Sequence, residues 1–366
     1  MSRLFTPISI GALTARNRLW VSPMCQYSSA GRDGQVGPWH LAHYGALAQG
    51  GSGLVVLEAA GVSPQGRITP WDLGLWDDSQ IAGLAGLVEF IKSQGALAGI
   101  QVGHSGRKGS VRQMWAGSIH VPPSEGGYQT YAPSPIAFAD LPQPLELSTD
   151  QIGGLVEAFA AASARAARAG FDVIELHGAH GYLLHQFLSP LTNRRRDQYG
   201  GSLENRLRFP LAVVAAAREA IGPDRALLIR VSATDWAEGG WDLDQSVEFA
   251  RAARAAGLDH IDVSTGGLVP DAKVAVGPGY QAPFGAAIRQ RAEISTNTVG
   301  VIETAAQAES LVAEGTVDAV MLGRPFLRDP HTAVKWATQL GLEPTDWAPP
   351  QYATAGWRRH HAPKPA

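Results

Sequence analysis

Eight short apolar runs recur along this chain, and alanine-rich stretches of helical length separate them. The runs are Leu19–Ser22, Leu54–Glu58, Ala98–Val102, Val173–Leu176, Leu227–Val231, His260–Val263, Glu293–Thr296 and Ala319–Leu322. Each is nearly continuous in apolar residues, as a strand buried on both faces of a parallel sheet must be. Helices are predicted over Leu41–Gln49, Gln80–Gln94, Thr149–Ala169, Leu203–Ile221, Leu243–Ala256, Gly285–Arg291 and Thr304–Glu314. Most stop at a glycine (Gly95, Gly170, Gly257, Gly315), which tolerates the left-handed conformation after a last helical turn. Such alternation predicts an α/β fold, a (β/α)8 TIM barrel. The competing doubly wound sheet would carry a G-x-G-x-x-G turn after its first strand, and Ser22–Tyr27 has none.

The predicted barrel occupies residues 1–340. Two segments break its rhythm. Residues 104–147 follow the third strand, hold Trp115, Tyr128, Tyr131 and Phe138 among prolines, and are predicted to form a lid. The tail, 341–366, holds Trp347, Tyr352 and Trp357, too much aromatic surface to leave in water, and is predicted to dock at a subunit interface. A net charge of −3 gives no general attraction for nucleic acid or an anionic membrane. No segment approaches the roughly 18 apolar residues that cross a bilayer, and Met1–Pro7 lacks the apolar core of a signal peptide. The expectation is a soluble cytoplasmic protein. Cys25 is the only cysteine, which excludes an internal disulfide and a cysteine-based metal site. It is either a small buried hydrophobe or a redox-active thiol.

In a barrel of this kind the working groups stand at the C-terminal ends of the strands. Those ends carry Pro23-Met24-Cys25, Glu58-Ala59, Gln101 and His104, then His177 to Tyr182, Arg230, Gly300 and Gly323-Arg324. Glycines after the seventh and eighth strands, with Arg324, suit a phosphate, since exposed backbone N–H groups and a guanidinium both bind its oxygens. They also suit two ordinary turns and a surface arginine. His177-x-x-His180 has three readings: a metal site completed by His185, a structural pair, or two donors aimed at a substrate oxygen with Tyr182 as proton source. Metal is the least favoured, because no Asp or Glu lies between Gly178 and Gln186. Arg194–Arg196 are predicted to serve a structural ion-pair network, and Ser202 to cap a helix.

Taken together, these motifs resemble the Old Yellow Enzyme family, FMN-dependent ene-reductases, and within it the thermophilic-like branch that includes bacterial xenobiotic reductases. The resemblance rests on Leu4-Phe5-x-Pro7, Arg16-Asn17-Arg18, Ser22-Pro23-Met24-Cys25-Gln26-Tyr27, Gly106-Arg107-Lys108 and Ala132-Pro133-Ser134. Phe171 to Leu183, Asp197-x-Tyr199-Gly200-Gly201-Ser202-x-x-Asn205-Arg206 and Leu322-Gly323-Arg324 complete it. It implies FMN ligands at Ser22, Pro23, Met24, Cys25, Ala59, Gln101, Arg230, Gly300, Gly323 and Arg324. It implies that His177 and His180 hold the substrate oxygen, that Tyr182 donates the proton, that Tyr27 contacts substrate and that Cys25 tunes the flavin potential. NADPH or NADH would be the reductant, and enones, imides or nitroalkenes the acceptors, in a ping-pong cycle. The branch also implies a homodimer or homotetramer in which a tail residue completes a neighbour's pocket. The usual arginine is not at its usual distance from Gln351-Tyr352, so Trp357 is the first candidate and Arg358 the second. A flavin-binding storage or sensing protein is the alternative from another class; it would need neither Tyr182 nor an open pocket.

Overall fold

A computed structural model describes residues 2–357. The chain opens with a hairpin of β1 (Ile8–Ile10) and β2 (Leu13–Ala15). The barrel strands follow as β3 (Leu19–Val21), β4 (Leu54–Gly61) and β5 (Leu97–Gly103). After a short pair in the lid, β6 (Tyr131–Ala132) and β7 (Leu145–Glu146), come β8 (Val173–Gly178), β9 (Ala226–Ser232), β10 (His260–Ser264), β11 (Ser295–Thr298) and β12 (Ala319–Leu322). The eight barrel strands close in parallel as β10-β11-β12-β3-β4-β5-β8-β9. The helices are α1 (Pro38–Ala48), α2 (Ile81–Ser93), α3 (Thr149–Arg168), α4 (Leu183–Leu188) and α5 (Leu203–Ile221), then α6 (Leu243–Ala255), α7 (Ala282–Ala292), α8 (Ala305–Ala313), α9 (Arg324–Arg328) and α10 (Thr332–Gln339).

The strands read as unbroken apolar runs because their two faces enter different cores. Leu19, Val21, Val55, Leu57, Ile174 and Ile229 face outward into the layer shared with the helices. Trp20, Leu54, Val56, Val173, Leu228 and Met321 face inward and fill the barrel, and the β1–β2 hairpin adds Ile8 and Ile10 to that inner cluster. Alternation of side chains along each strand forces this division. Nearer the C-terminal ends the inner layer turns polar, with Gln101, Glu175, Arg230 and Asp262 all buried.

Every predicted strand and helix is present; Leu203–Ile221 and Ala319–Leu322 keep their predicted ends and the others are shifted. The seventh strand begins at Ser295 rather than Glu293, because α7 runs on to Ala292 and Glu293 ends it in the left-handed conformation at φ 51°. The first helix begins at Pro38 instead of Leu41, since proline suits a first helical turn, where its missing N–H costs nothing. The Ser202 cap accepts from Asn205 N, and Arg195 carries the expected network through Asp197 and Glu146. No described helix is long and apolar enough to cross a membrane.

The tail aromatics find their contacts on their own barrel. Trp347 meets Phe5 edge-on at 5.0 Å, Tyr352 donates to Gln49 Oε1 at 3.4 Å, and the His331 ring lies 5.6 Å from Tyr352 and 5.8 Å from Trp357. These rings therefore do not require a second subunit to be partly covered. Arg358 lies outside the described residues.

Candidate active site

The strand ends bring most of the predicted residues to one mouth. A register shift in the β4–β5 pairing between Leu57 and Ala59 marks a bulge at Glu58. Such a bulge re-aims side chains. Glu58 lies fully buried behind the Cys25–Tyr27 loop, where Oε2 accepts from Gln26 N at 2.8 Å and Oε1 accepts from the Tyr44 hydroxyl at 3.1 Å. Ala59 lines a small cavity at the mouth with Gly103, His177 and Tyr182. On the floor, Arg230 pairs with Asp262 and donates from Nη2 to Ser22 Oγ at 2.6 Å. Beside it, Gln101 Nε2 donates to Glu175 Oε1 at 2.7 Å. Burial first, then the Asp262 charge, pushes the Glu175 carboxyl up to about 8, next to the paired Arg230 and Asp262 side chains.

One rim is built for an anion. Gly300, Val301, Gly323 and Arg324 border a cavity of about 220 Å³ together with Met24. Among the described residues, the backbone N–H groups of these four donate to no partner. Gly300 sits at φ +113°, and a Cβ there would lie 2.7 Å from the Tyr280 ring, so only glycine makes this turn. The Arg324 guanidinium is exposed beside them with no acceptor among the described residues.

The opposite side holds the donors. His177 is the penultimate residue of β8, and its ring lies 5.3 Å from that of His180 and 4.8 Å from that of Tyr182. The two histidines are not equivalent. His177 Nδ1 accepts from Ala179 N at 3.4 Å, which leaves the proton on Nε2, with no acceptor for it among the described residues. His180 Nε2 lies 2.8 Å from Ser264 Oγ, which is also 3.2 Å from Gln281 Oε1, so that nitrogen is engaged inside the protein. Burial, helped by the positive Arg230 and Lys108, holds both imidazoles well below their usual range, so both are neutral donors. His185 does not join them: its Nε2 is 2.8 Å from Asp235 Oδ1, a buried pair.

Tyr182 lines both the small cavity and a larger one of about 500 Å³ beneath the lid. The larger cavity is walled by Tyr27, Ile68, Val111, Ile119 and Phe138. Burial first, then the nearby Cys25 and Asp72, keeps the Tyr182 phenol protonated far above its ordinary range. Burial with Asp72 and Glu58 likewise keeps Cys25 a thiol, so it is not a thiolate nucleophile at neutral pH. Tyr27 adopts φ 50° and faces Trp115, whose ring is 6.1 Å away at the exposed tip of the lid. Trp357 lines neither cavity of its own chain. Sequence reasoning gave no role to Glu58, Asp72, Lys108, Asp262 or Ser264. The strand-end rule could have flagged Ser264, whereas Asp72, buried in a loop, offered no signal.

A barrel mouth with an anion cradle at one rim, a buried arginine on the floor and neutral donors opposite is a site for a flat, phosphorylated redox cofactor. It defines the flavin-dependent oxidoreductases built on this barrel. Residues 3–343 match the NADH:flavin oxidoreductase / NADH oxidase family, and the chain belongs to that family. It is 44% identical over 356 residues to an NADPH dehydrogenase of Bacillus subtilis, covering 97% of this chain and 99% of that one. An NADPH dehydrogenase of Geobacillus thermodenitrificans is 45% identical over 356 residues, covering 97% and 98%. Among solved structures, morphinone reductase superposes with a TM-score of 0.77 at 32% identity, covering 95% of this chain and 91% of that one. An Old Yellow Enzyme homologue from Zymomonas mobilis gives 0.77 at 26% identity, covering 93% and 94%. The protein is thus an Old Yellow Enzyme family member, an FMN-dependent oxidoreductase that takes electrons from NAD(P)H.

Proposed function

We propose that this enzyme reduces carbon–carbon double bonds conjugated to a carbonyl, imide or nitro group. The observation that carries the reading is the pairing of His177 with Tyr182. A neutral N–H donor and a protonated phenol, with rings 4.8 Å apart, face the same space at the mouth. The residues present fit FMN. The unpartnered N–H groups of Gly300, Val301, Gly323 and Arg324, with the Arg324 guanidinium, suit its phosphate. Ser22–Cys25, Ala59, Gln101 and Arg230, at or near the C-terminal ends of their strands, would hold the ring. FMN held there would supply the hydride chemistry that links NAD(P)H to the substrate β-carbon.

The chain's own residues do the rest. Nε2 of His177 polarises the substrate oxygen, and its neutral N–H is the right form, because it stabilises growing negative charge without giving up a proton. His180 adds a second donor by exchanging Ser264 for the substrate. Tyr182 protonates the α-carbon, the step a phenol held neutral at pH 7 can perform. Ile68, Val111 and Phe138 exclude water from the acceptor. Trp357 of one subunit is assigned to the rim of a neighbour's pocket in a homodimer or homotetramer. That reading is supported by its lack of a place in its own pocket and by the branch resemblance of the tail.

The test is anaerobic and needs two spectra. NADPH should bleach the yellow protein, and 2-cyclohexenone should restore the colour with formation of cyclohexanone. Colour that NADPH bleaches and only oxygen restores would refute the reading.

A further inference from the structure

Lys108 is a long cationic side chain that the reaction as described does not use. It lies in the short turn after β5, at the base of the lid, and is half-buried. Its Nζ donates to His180 O and to Gly267 O, each at 2.9 Å. These bonds fix the ammonium 5.2 Å from the centre of the Tyr182 ring and 4.4 Å from that of Phe138. We propose that Lys108 is the electrostatic partner of Tyr182, stabilising the phenolate that remains when Tyr182 has given its proton to the substrate. The proposal rests on the reading of Tyr182 as proton donor.

The physical case is one of difference. A cation over a neutral phenol meets only the ring quadrupole, while over a phenolate it meets a full negative charge. The attraction therefore grows as the proton leaves, and an interaction that strengthens along the reaction accelerates it. The other groups facing the phenol do the opposite or nothing. Cys25 and Asp72 raise its proton affinity, and His177 is neutral. Lys108 itself is faced by Arg107 and by the neutral His177 and His180. Burial and Arg107 lower its pKa only to about 8, so at neutral pH it is mostly charged. In the proton step, the Tyr182 O–H bond breaks, a C–H bond forms at the α-carbon, and the O–H electron pair stays on the phenolate, whose ring lies 5.2 Å from the ammonium. Solvent later returns the proton.

The two carbonyl bonds also give Lys108 a structural task, since they brace His180 at φ 57° and Gly267 at φ +84°. The test must separate charge from bracing. Lys108→Gln retains a donor for the carbonyls without the charge, and Lys108→Met removes both. A fluorinated tyrosine placed at position 182 allows the phenol to be titrated by fluorine NMR, independently of turnover. Its proton affinity should rise by about tenfold or more in both variants, the usual effect of removing one opposite charge from beside an ionising group. Reoxidation of the reduced enzyme by 2-cyclohexenone should slow several-fold, up to about the factor by which the proton affinity rises. In a Tyr182→Phe background the same Lys108 substitutions should cost little more, because the group they act through is gone. An unchanged phenol titration in Lys108→Gln, or an undiminished cost in the Tyr182→Phe background, would overturn the proposal. Failure of the enone to reoxidise the wild-type enzyme would instead overturn the ene-reductase reading, while the titration still decides the pairing.

Discussion

Glu58→Gln should alter the stability of this enzyme in a pH-dependent way, and the sign follows from the site. The Glu58 carboxyl is fully buried and accepts from Gln26 N and the Tyr44 hydroxyl, with His40 Nε2 at 3.5 Å. Burial is the largest cause, with Asp72 adding to it, that pushes its pKa from about 4.5 to about 8. The unfolded chain ionises this group near 4.5, so folding takes up a proton throughout that window. Its contribution to stability is complete below the unfolded value and is lost as pH rises through the folded one. At about 1.4 kcal/mol per pH unit, the loss approaches a ceiling of about 5 kcal/mol by pH 8. Glutamine cannot ionise and escapes this loss. It brings its own cost of about 1–3 kcal/mol, because its amide carries two N–H donors where the neutral carboxyl carries a single O–H. The variant should therefore be the less stable protein near pH 5, and the gap should close or reverse near pH 8. Asp72 and Glu175 are also raised by burial, but both proteins contain them, so they cancel in the difference. Urea unfolding of the holoenzyme and its variant, from about pH 5 to about pH 8, measures the gap. A gap that stays constant across that range would refute proton uptake by Glu58.

Arg324→Ala should weaken FMN retention by about tenfold to a hundredfold, the weight of one charged hydrogen bond; equilibrium dialysis reads it, and equal affinity would remove Arg324 from the phosphate cradle. Cys25→Ala should shift the flavin reduction potential while leaving the enzyme active, because a thiol rather than a thiolate stands there at neutral pH. A potential and an enone KM both unchanged would return Cys25 to a packing role. Truncation after Pro350 removes Tyr352 and Trp357 from their contacts with Gln49 and His331. If the tail serves a neighbour's pocket, the enone KM should rise without loss of FMN. A truncated protein with the same sedimentation and the same KM would place the tail wholly on its own barrel.

Much of this architecture was legible in local sequence. A run buried on both faces must be apolar at every position, so the eight strands could be read one by one, and helix ends followed from glycines. His177 and Tyr182 were equally readable, because the end of β8 and the turn after it place them within a few residues of each other. Tertiary structure decided the rest. The Glu58 bulge depends on how β4 is paired with β5, and the loss of His180 Nε2 to Ser264 depends on strands far apart in sequence lying side by side in the closed barrel. Lys108 reaches Tyr182 only because the lid base folds against the turns after β8 and β10. Sequence period specifies the direction in which a side chain leaves its own strand. Which charges then meet is set by closure of the barrel, which brings together residues with no local relation to one another.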